Sequence, residues 1–197
     1  MVRLCHAGES KASQKTLMKI RVISGLYGGR NLSAPTGTVT HPMGERVRNA
    51  MFNIVGSEIK GATVLDAFAG SGAVGIEAAS RGAEHVTFIE KDAAAQKSII
   101  DNITTLSIRE TTTLVRSSVS SWRTAHPDPV YDIIFADPPY DDPQFSTVEQ
   151  LLGLLKPGAL MVLSQPGRSE VLTKPGVVVV DNRSYGTANL TFYRRER

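Results

Sequence analysis

The thirteen residues from Thr63 to Gly75, T-V-L-D-A-F-A-G-S-G-A-V-G, hold the spacing best suited to chemistry. Gly70, Gly72 and Gly75 form G-x-G-x-x-G directly after a short apolar run of Val64, Leu65, Ala67 and Phe68. Glycine lets backbone approach a ligand closely and adopt positive φ, and the start of a following helix offers unpaired N–H groups. A nucleoside cofactor suits such a turn, although the glycines alone would also fit a tight strand-to-helix turn with no ligand. Two carboxylates favour the cofactor: Asp66 inside the run, and Glu90 at the end of the next one, about 20 residues past Gly70, where a carboxylate can grip ribose hydroxyls. Phe68 and Ala69 of the turn, Lys91 beside Glu90, Ser118 and Asp137 complete the expected cofactor contacts. A dehydrogenase would fit this much. The distinguishing stretch is Asp137-Pro138-Pro139-Tyr140, which follows the apolar run Tyr131 to Ala136 and so stands at a strand's carboxyl end, where open α/β sheets bind ligands. Hydride transfer has no use for it, and its four residues are the catalytic candidates.

Strands buried on both faces must hold these residues, as the unbroken apolar runs require. Lys19 to Pro35 alternates at Ile20 and Val22 around a Gly-rich turn, which predicts a β-hairpin outside the main sheet carrying Lys19, Arg21 and Arg30. His41 to Val55 sets Val47, Ala50, Met51, Ile54 and Val55 at helical spacing. Arg46 and Arg48 lie off that stripe near the helix start, where cations oppose the helix dipole and an anionic ligand would offset them. A helix is predicted from Ala73 to Arg81, a strand up to Glu90, and a helix N-capped by Asp92 and running toward Leu106. Then come a strand over Thr112 to Arg116, a helix over Ser146 to Leu155 stopped by Lys156-Pro157-Gly158, and a buried strand over Ala159 to Ser164. Val177 to Asp181 and Leu190 to Arg194 flank a Tyr185-Gly186 turn as an antiparallel pair. Alternating βα units closed by a hairpin predict a doubly wound, mostly parallel α/β sheet. The chain divides into a disordered tail over 1–18, the hairpin extension over 19–40 and the main domain over 41–197.

The 197 residues suffice for one α/β domain, and no apolar stretch approaches the roughly 20 residues that span a bilayer. With Cys5 alone there is no disulfide framework, and no Cys/His cluster has zinc-ligand spacing, so a reducing cytosol suits the chain. The net charge of +3 hides an asymmetry. Up to residue 62 nine Lys/Arg face three Asp/Glu, and from 63 onward 13 face 16. A basic arm on a slightly acidic body favours phosphate contacts made by the arm.

Strand, glycine turn, acidic strand end and D-P-P-Y together resemble the S-adenosylmethionine-dependent methyltransferases that modify exocyclic amino groups. From about Lys19 to Tyr193 the chain is similar to one family of these, the RsmD-like 16S ribosomal RNA guanine-N2 methyltransferases of bacteria. The resemblance rests on R-V-I-S-G at Arg21 to Gly25 and G-G-R at Gly28 to Arg30. It continues through E-R-V-R at Glu45 to Arg48 with Phe52-Asn53, D-A-F-A-G-S-G-A-V-G-I-E-A at Asp66 to Ala78, S-R-G-A at Ser80 to Ala83, D-P-P-Y, and Y-G-T at Tyr185 to Thr187. Three places depart from the family pattern. His41-Pro42-Met43-Gly44-Glu45-Arg46-Val47-Arg48-Asn49 stands where the family has P-T-T-D-R-V-R-E. Ser118 stands where many methyltransferases have an acidic or amide residue facing the adenine, and Ser164 where relatives tend to carry a glutamate.

The resemblance implies a Rossmann-like class I methyltransferase fold with S-adenosylmethionine as cofactor, released as S-adenosylhomocysteine, and no metal. It implies 16S rRNA or the assembling 30S subunit as partner, held at Lys19, Arg21, Arg30, Arg46 and Arg48, and a monomer acting in the cytoplasm away from membranes. On this reading the Asp137 carboxylate and the Pro138 carbonyl each accept an N–H of the target amine, localising a lone pair otherwise delocalised into the base. Pro138 and Pro139 stiffen the loop, and Tyr140 offers a ring for stacking a splayed-out base. Two other readings stay open: an adenine-N6 amino methyltransferase acting on DNA or RNA, since D-P-P-Y alone occurs there too, and a noncatalytic RNA-binding ribosome assembly factor.

Overall fold

Aliphatic and β-branched runs form the strands, and the computed structural model describes residues 20–35, 43–128, 130–167 and 171–197. The tail expected over 1–18, Lys19 and the stretch 36–42 lie outside the described residues. In chain order the strands are β1 (Ile20–Arg21), β2 (Asn31–Leu32), β3 (Thr63–Ala67), β4 (His85–Glu90), β5 (Thr112–Arg116), β6 (Tyr131–Ala136), β7 (Leu155–Pro166), β8 (Val177–Tyr185) and β9 (Ala188–Arg195). The α-helices are α1 (Glu45–Val55), α2 (Ala73–Ser80), α3 (Ala93–Leu106), α4 (Val119–Ala125) and α5 (Phe145–Leu151). β1 and β2 pair antiparallel as a separate small sheet, while the other strands form one seven-stranded sheet in the order β5-β4-β3-β6-β7-β9-β8. β5 to β7 run parallel, and β9 and β8 close the sheet antiparallel.

Both faces of the sheet are covered, as the continuous apolar runs demand. Val64, Phe88, Ile133, Val162 and Phe192 point into one core with α1, α2 and α3. Leu65, Ile89, Ile134, Leu163 and Tyr193 point into the other with α4 and α5. Among the described residues no helix is long and apolar enough to cross a membrane.

Three sequence expectations are corrected. The buried face of α1 is Arg48, Met51, Phe52 and Val55, one step round from the expected stripe, because Phe52 packs on Phe135 of β6 with ring centroids 5.1 Å apart. α4 was not expected: its seven residues are mostly small and polar, and only Val119 and Trp122 are buried, too few for a period to be read. β7 starts at Leu155, so Lys156-Pro157-Gly158 does not separate helix from strand. The register jumps from Tyr131↔Leu155 to Ile133↔Leu160, and this irregularity absorbs the proline and a glycine at φ 78°.

The small sheet is clamped to the body by buried polar side chains. Glu77 of α2 is fully buried and accepts the N–H groups of Ile23 at 2.7 Å and Ser24 at 3.1 Å, with Arg81 Nε at 2.7 Å. Three donors offset the desolvation of a buried carboxylate. Ser80 accepts from Tyr27 N at 2.9 Å and donates to Ser24 O at 2.5 Å. Asn102 of α3 accepts from Ser33 N at 2.7 Å and donates to Ser33 O at 3.0 Å, beyond the end of β2.

Candidate active site

The strand order reverses at β3, which has β4 on one side and β6 on the other, the place where open α/β sheets bind ligands at the carboxyl ends. The pairs Ala67↔Ile89, Ala67↔Ala136 and Ala136↔Leu163 fix what lies there. One residue beyond each strand pair, Glu90, Phe68, Asp137 and Ser164 follow one another across β4, β3, β6 and β7.

On the β3 side the glycine turn divides its labour. A Cβ at Gly75 would lie 2.3 Å from Phe88 Cε1, so this glycine lets α2 pack on β4. Gly72, at φ 75°, would press on Ile99 Cγ1 at 3.1 Å, so a side chain there would strain the fold. Gly70, at φ 54°, has no atom within 4 Å of its missing Cβ and alone of the three borders open space. Phe68 takes φ 66°, a left-handed conformation uncommon for a bulky residue and a recurrent mark of functional turns. Ala69 donates to Ile89 O at 3.0 Å and accepts from Gly72 N at 2.7 Å, which tightens the turn.

Carboxylates brace this turn from within. Asp66 is 2% exposed and accepts the Gly75 N–H at 2.8 Å; burial holds its carboxyl well above the ordinary range, the Gly75 bond opposes this, and the charges of Asp137 and Glu90 reinforce it. Glu90 accepts Gly70 N with one oxygen and Asp92 N with the other, each at 2.7 Å. Each carboxylate oxygen keeps a second acceptor site. Lys91 is exposed beside it. Ser118 is occupied otherwise than expected: its hydroxyl caps α4, accepting from Ser121 N at 3.2 Å and bonding Ser121 Oγ at 2.8 Å.

Beside the glycine turn, the loop after β6 carries Asp137, Pro138, Pro139 and Tyr140. Asp142 N donates to Pro139 O at 3.0 Å and closes a turn behind the tyrosine. Burial lifts the Asp137 carboxyl to about 6, against the opposing hydrogen bond from Ser164. The Tyr140 ring is 44% exposed, while its hydroxyl lies 3.3 Å from Ser164 Oγ. Burial raises the Tyr140 phenol too, with Ser164 opposing and Asp137 adding to the rise.

The arginines part company. Arg48 is 2% exposed and donates to Arg21 O at 2.6 Å and Met43 O at 3.2 Å, so it ties α1 to β1 and cannot offer its guanidinium to phosphate as the sequence had suggested. Burial lowers its pKa from the usual arginine value. Arg21 is exposed but engaged bidentately by Glu45, at 2.8 and 3.0 Å. Arg30 and Arg46 are exposed, with no side-chain partner among the described residues.

From the sequence Glu77 and Asn102 carry no assigned role, and Ser164 stands only as a departure from the family pattern. Glu77 and Asn102 left a signal, each being a polar residue within an apolar helix face, G-I-E-A-A and I-I-D-N-I. Asn102 also donates to Ser71 O at 3.3 Å, so one side chain touches both the extension and the glycine turn. For Ser164 the departure alone gave no role, since its neighbours come from register across strands.

Residues 20–194 match the family described as Conserved hypothetical protein 95. Ribosomal RNA small subunit methyltransferase D of Haemophilus influenzae is 30% identical over 184 residues, covering 89% of this chain and 94% of that protein. Among solved structures, yhhF of Escherichia coli superposes with a TM-score of 0.81 at 34% identity, over 90% of this chain and 98% of that one. SMU.776, solved as a complex with SAH, shares the fold at 19% identity with a TM-score of 0.61, over 76% of this chain and 48% of the other. A match across almost every described residue, joined to a near full-length relative at 30% identity, means that this chain belongs to the RsmD-like methyltransferase family.

Proposed function

We propose that this chain methylates ribosomal RNA, and specifically the exocyclic N2 amine of a guanine in 16S rRNA, with S-adenosylmethionine as methyl donor. The observation that carries the reading is the register Ala67↔Ala136, which brings the glycine turn and Asp137 to adjacent strand ends at the reversal of the sheet. The open space beside Gly70 and the spare acceptor sites of Glu90 fit a ribose, and the start of α2 and the apolar Phe68 lie next to it. Bound there, S-adenosylmethionine supplies an electrophilic sulfonium methyl. The chain's own part is to present the amine. Ionised Asp137 and the Pro138 carbonyl accept its two N–H groups, turn the lone pair toward the methyl and stabilise the positive charge that develops on nitrogen. Tyr140, exposed on its ring face, stacks a base splayed from the RNA. Arg30 and Arg46, with Arg21 and Lys19 of the extension, meet the phosphates. The protein acts as a monomer in the cytoplasm.

Labelled methyl transfer to unmethylated 30S particles, naked 16S RNA and DNA, followed by nucleoside identification, tests the reading. N2-methylguanosine from an RNA substrate is expected. N6-methyladenosine would move the enzyme to the adenine class, and RNA binding without transfer would make it an assembly factor.

A further inference from the structure

Ser164 is 2% exposed at the carboxyl end of β7, on the same face as Leu160 and Val162, which belong to the apolar core. Packing alone therefore gives no reason for a hydroxyl, and a buried hydroxyl without partners is costly. This one has two partners. Tyr140 Oη lies 3.3 Å from its Oγ, and Asp137 stands beside it, each one residue past the strand pair Ala136↔Leu163, where a bond from Ser164 favours the ionised carboxylate. A serine hydroxyl has one proton to give, and an ionised carboxylate can only accept. With Asp137 ionised, Ser164 donates to it, and the Tyr140 phenol donates to Ser164.

We propose that Ser164 is the positioning residue of the D-P-P-Y loop: its one hydroxyl both aims the Asp137 carboxylate and anchors the Tyr140 ring. The inference rests on the methyl-transfer reading and extends it to a residue outside the tetrapeptide. It follows that the amine's acceptor and the base's platform are set by a single atom. Protonation of Asp137 removes the negative charge that this bond serves, so the aim of the acceptor weakens as the pH falls. The titratable groups facing Asp137 are Asp66 on β3, beyond it Glu90 on β4, and Tyr140 in its own loop, with Asp141 and Asp142 exposed further along. None is a cation. Among the described residues the bond from Ser164 is the interaction that favours the ionised carboxylate.

The test is a carboxyl NMR titration of Asp137 in the wild type, Ser164→Ala and Ser164→Thr, run beside pH profiles of kcat and kcat/KM for methyl transfer to 30S particles. In Ser164→Ala the Asp137 midpoint should rise by about one pH unit, the value of one hydrogen bond to a charged group. The acid limb of kcat/KM should rise with it, and Ser164→Thr, which keeps the hydroxyl, should restore both. An unchanged carboxyl midpoint in Ser164→Ala would overturn the proposal, as would a shifted midpoint with an unshifted acid limb. A shifted midpoint in a protein whose wild type transfers no methyl group would support the geometry and overturn the methyl-transfer reading instead.

Discussion

Asp137 sets chemistry against stability within one residue. Its folded carboxyl titrates at about 6 against 3.8 for the ordinary side chain, so folding favours the protonated form. The stability that this supplies is present at low pH and is lost as pH rises from 3.8 through about 6. Above that the protein carries a partly buried anion, which the proposed transfer needs and the fold does not. Asp137→Asn should therefore raise the Tm relative to wild type at pH 8, with the gain shrinking as the pH approaches about 4.5, in thermal melts at both pH values. Wild-type methyl transfer should decline below about pH 6, where the acceptor is lost. On the cofactor side, Glu90→Ala should cost about 1–3 kcal/mol in S-adenosylmethionine affinity by calorimetry, the range for charge-assisted hydrogen bonds. Tyr140→Phe keeps the ring but loses its hydroxyl bond to Ser164, so it should lose less rate than Tyr140→Ala, which loses placement of the base altogether. These residues were legible in the sequence because glycine spacing and a proline-locked aspartate have few uses other than their special backbone and acceptor properties. Ser164 was not, because a serine in an apolar run says nothing of which loop lies across the strand.

At the level of elements, α1 shows where periodicity misleads. Its apolar residues allow two overlapping stripes, and the choice falls to tertiary partners: Phe52 turns inward onto Phe135, with the Arg81 guanidinium 4.9 Å from its centroid on another side. That rotation carries Arg48 inward with it. Arg48→Ala should thus behave as a folding mutant, destabilising by about 1–3 kcal/mol in denaturant titration because the carbonyls of Arg21 and Met43 lose a buried donor. Charge removal at Arg30 and Arg46 belongs to another class. Their joint replacement by alanine should leave stability within about 0.5 kcal/mol and lower the salt dependence of RNA affinity by about one unit of slope per lost contact. A salt slope equal to wild type would take the RNA off this surface. The strands β3 to β6 were readable almost to the residue, since β3, β4 and β6 are mostly apolar runs and β5 is rich in β-branched residues. The start of β7 was not, because proline and glycine mark a break in sequence and only the partner strand reveals a bulge.

Across the whole molecule, one sheet reversal gathers the residues of the proposed site, and three buried polar clips hold the basic extension to the body. Glu77, Ser80 and Asn102 fasten β1, β2 and their connection to α2 and α3, and Asn102 touches Ser71 of the glycine turn as well. The doubly wound topology was legible from the alternation of apolar runs and amphipathic segments. The clips were not, because their partners lie 53 to 69 residues away in sequence and are backbone groups, which carry no residue-type signal. The account stands or falls on Asp137 as the acceptor for the target amine. Single-turnover transfer of a labelled methyl group to unmethylated 30S particles, with S-adenosylmethionine affinity measured in parallel, tests this most directly. Asp137→Ala should slow transfer by about 10²- to 10³-fold while cofactor affinity stays near wild type. A near-normal transfer rate in Asp137→Ala would contradict it.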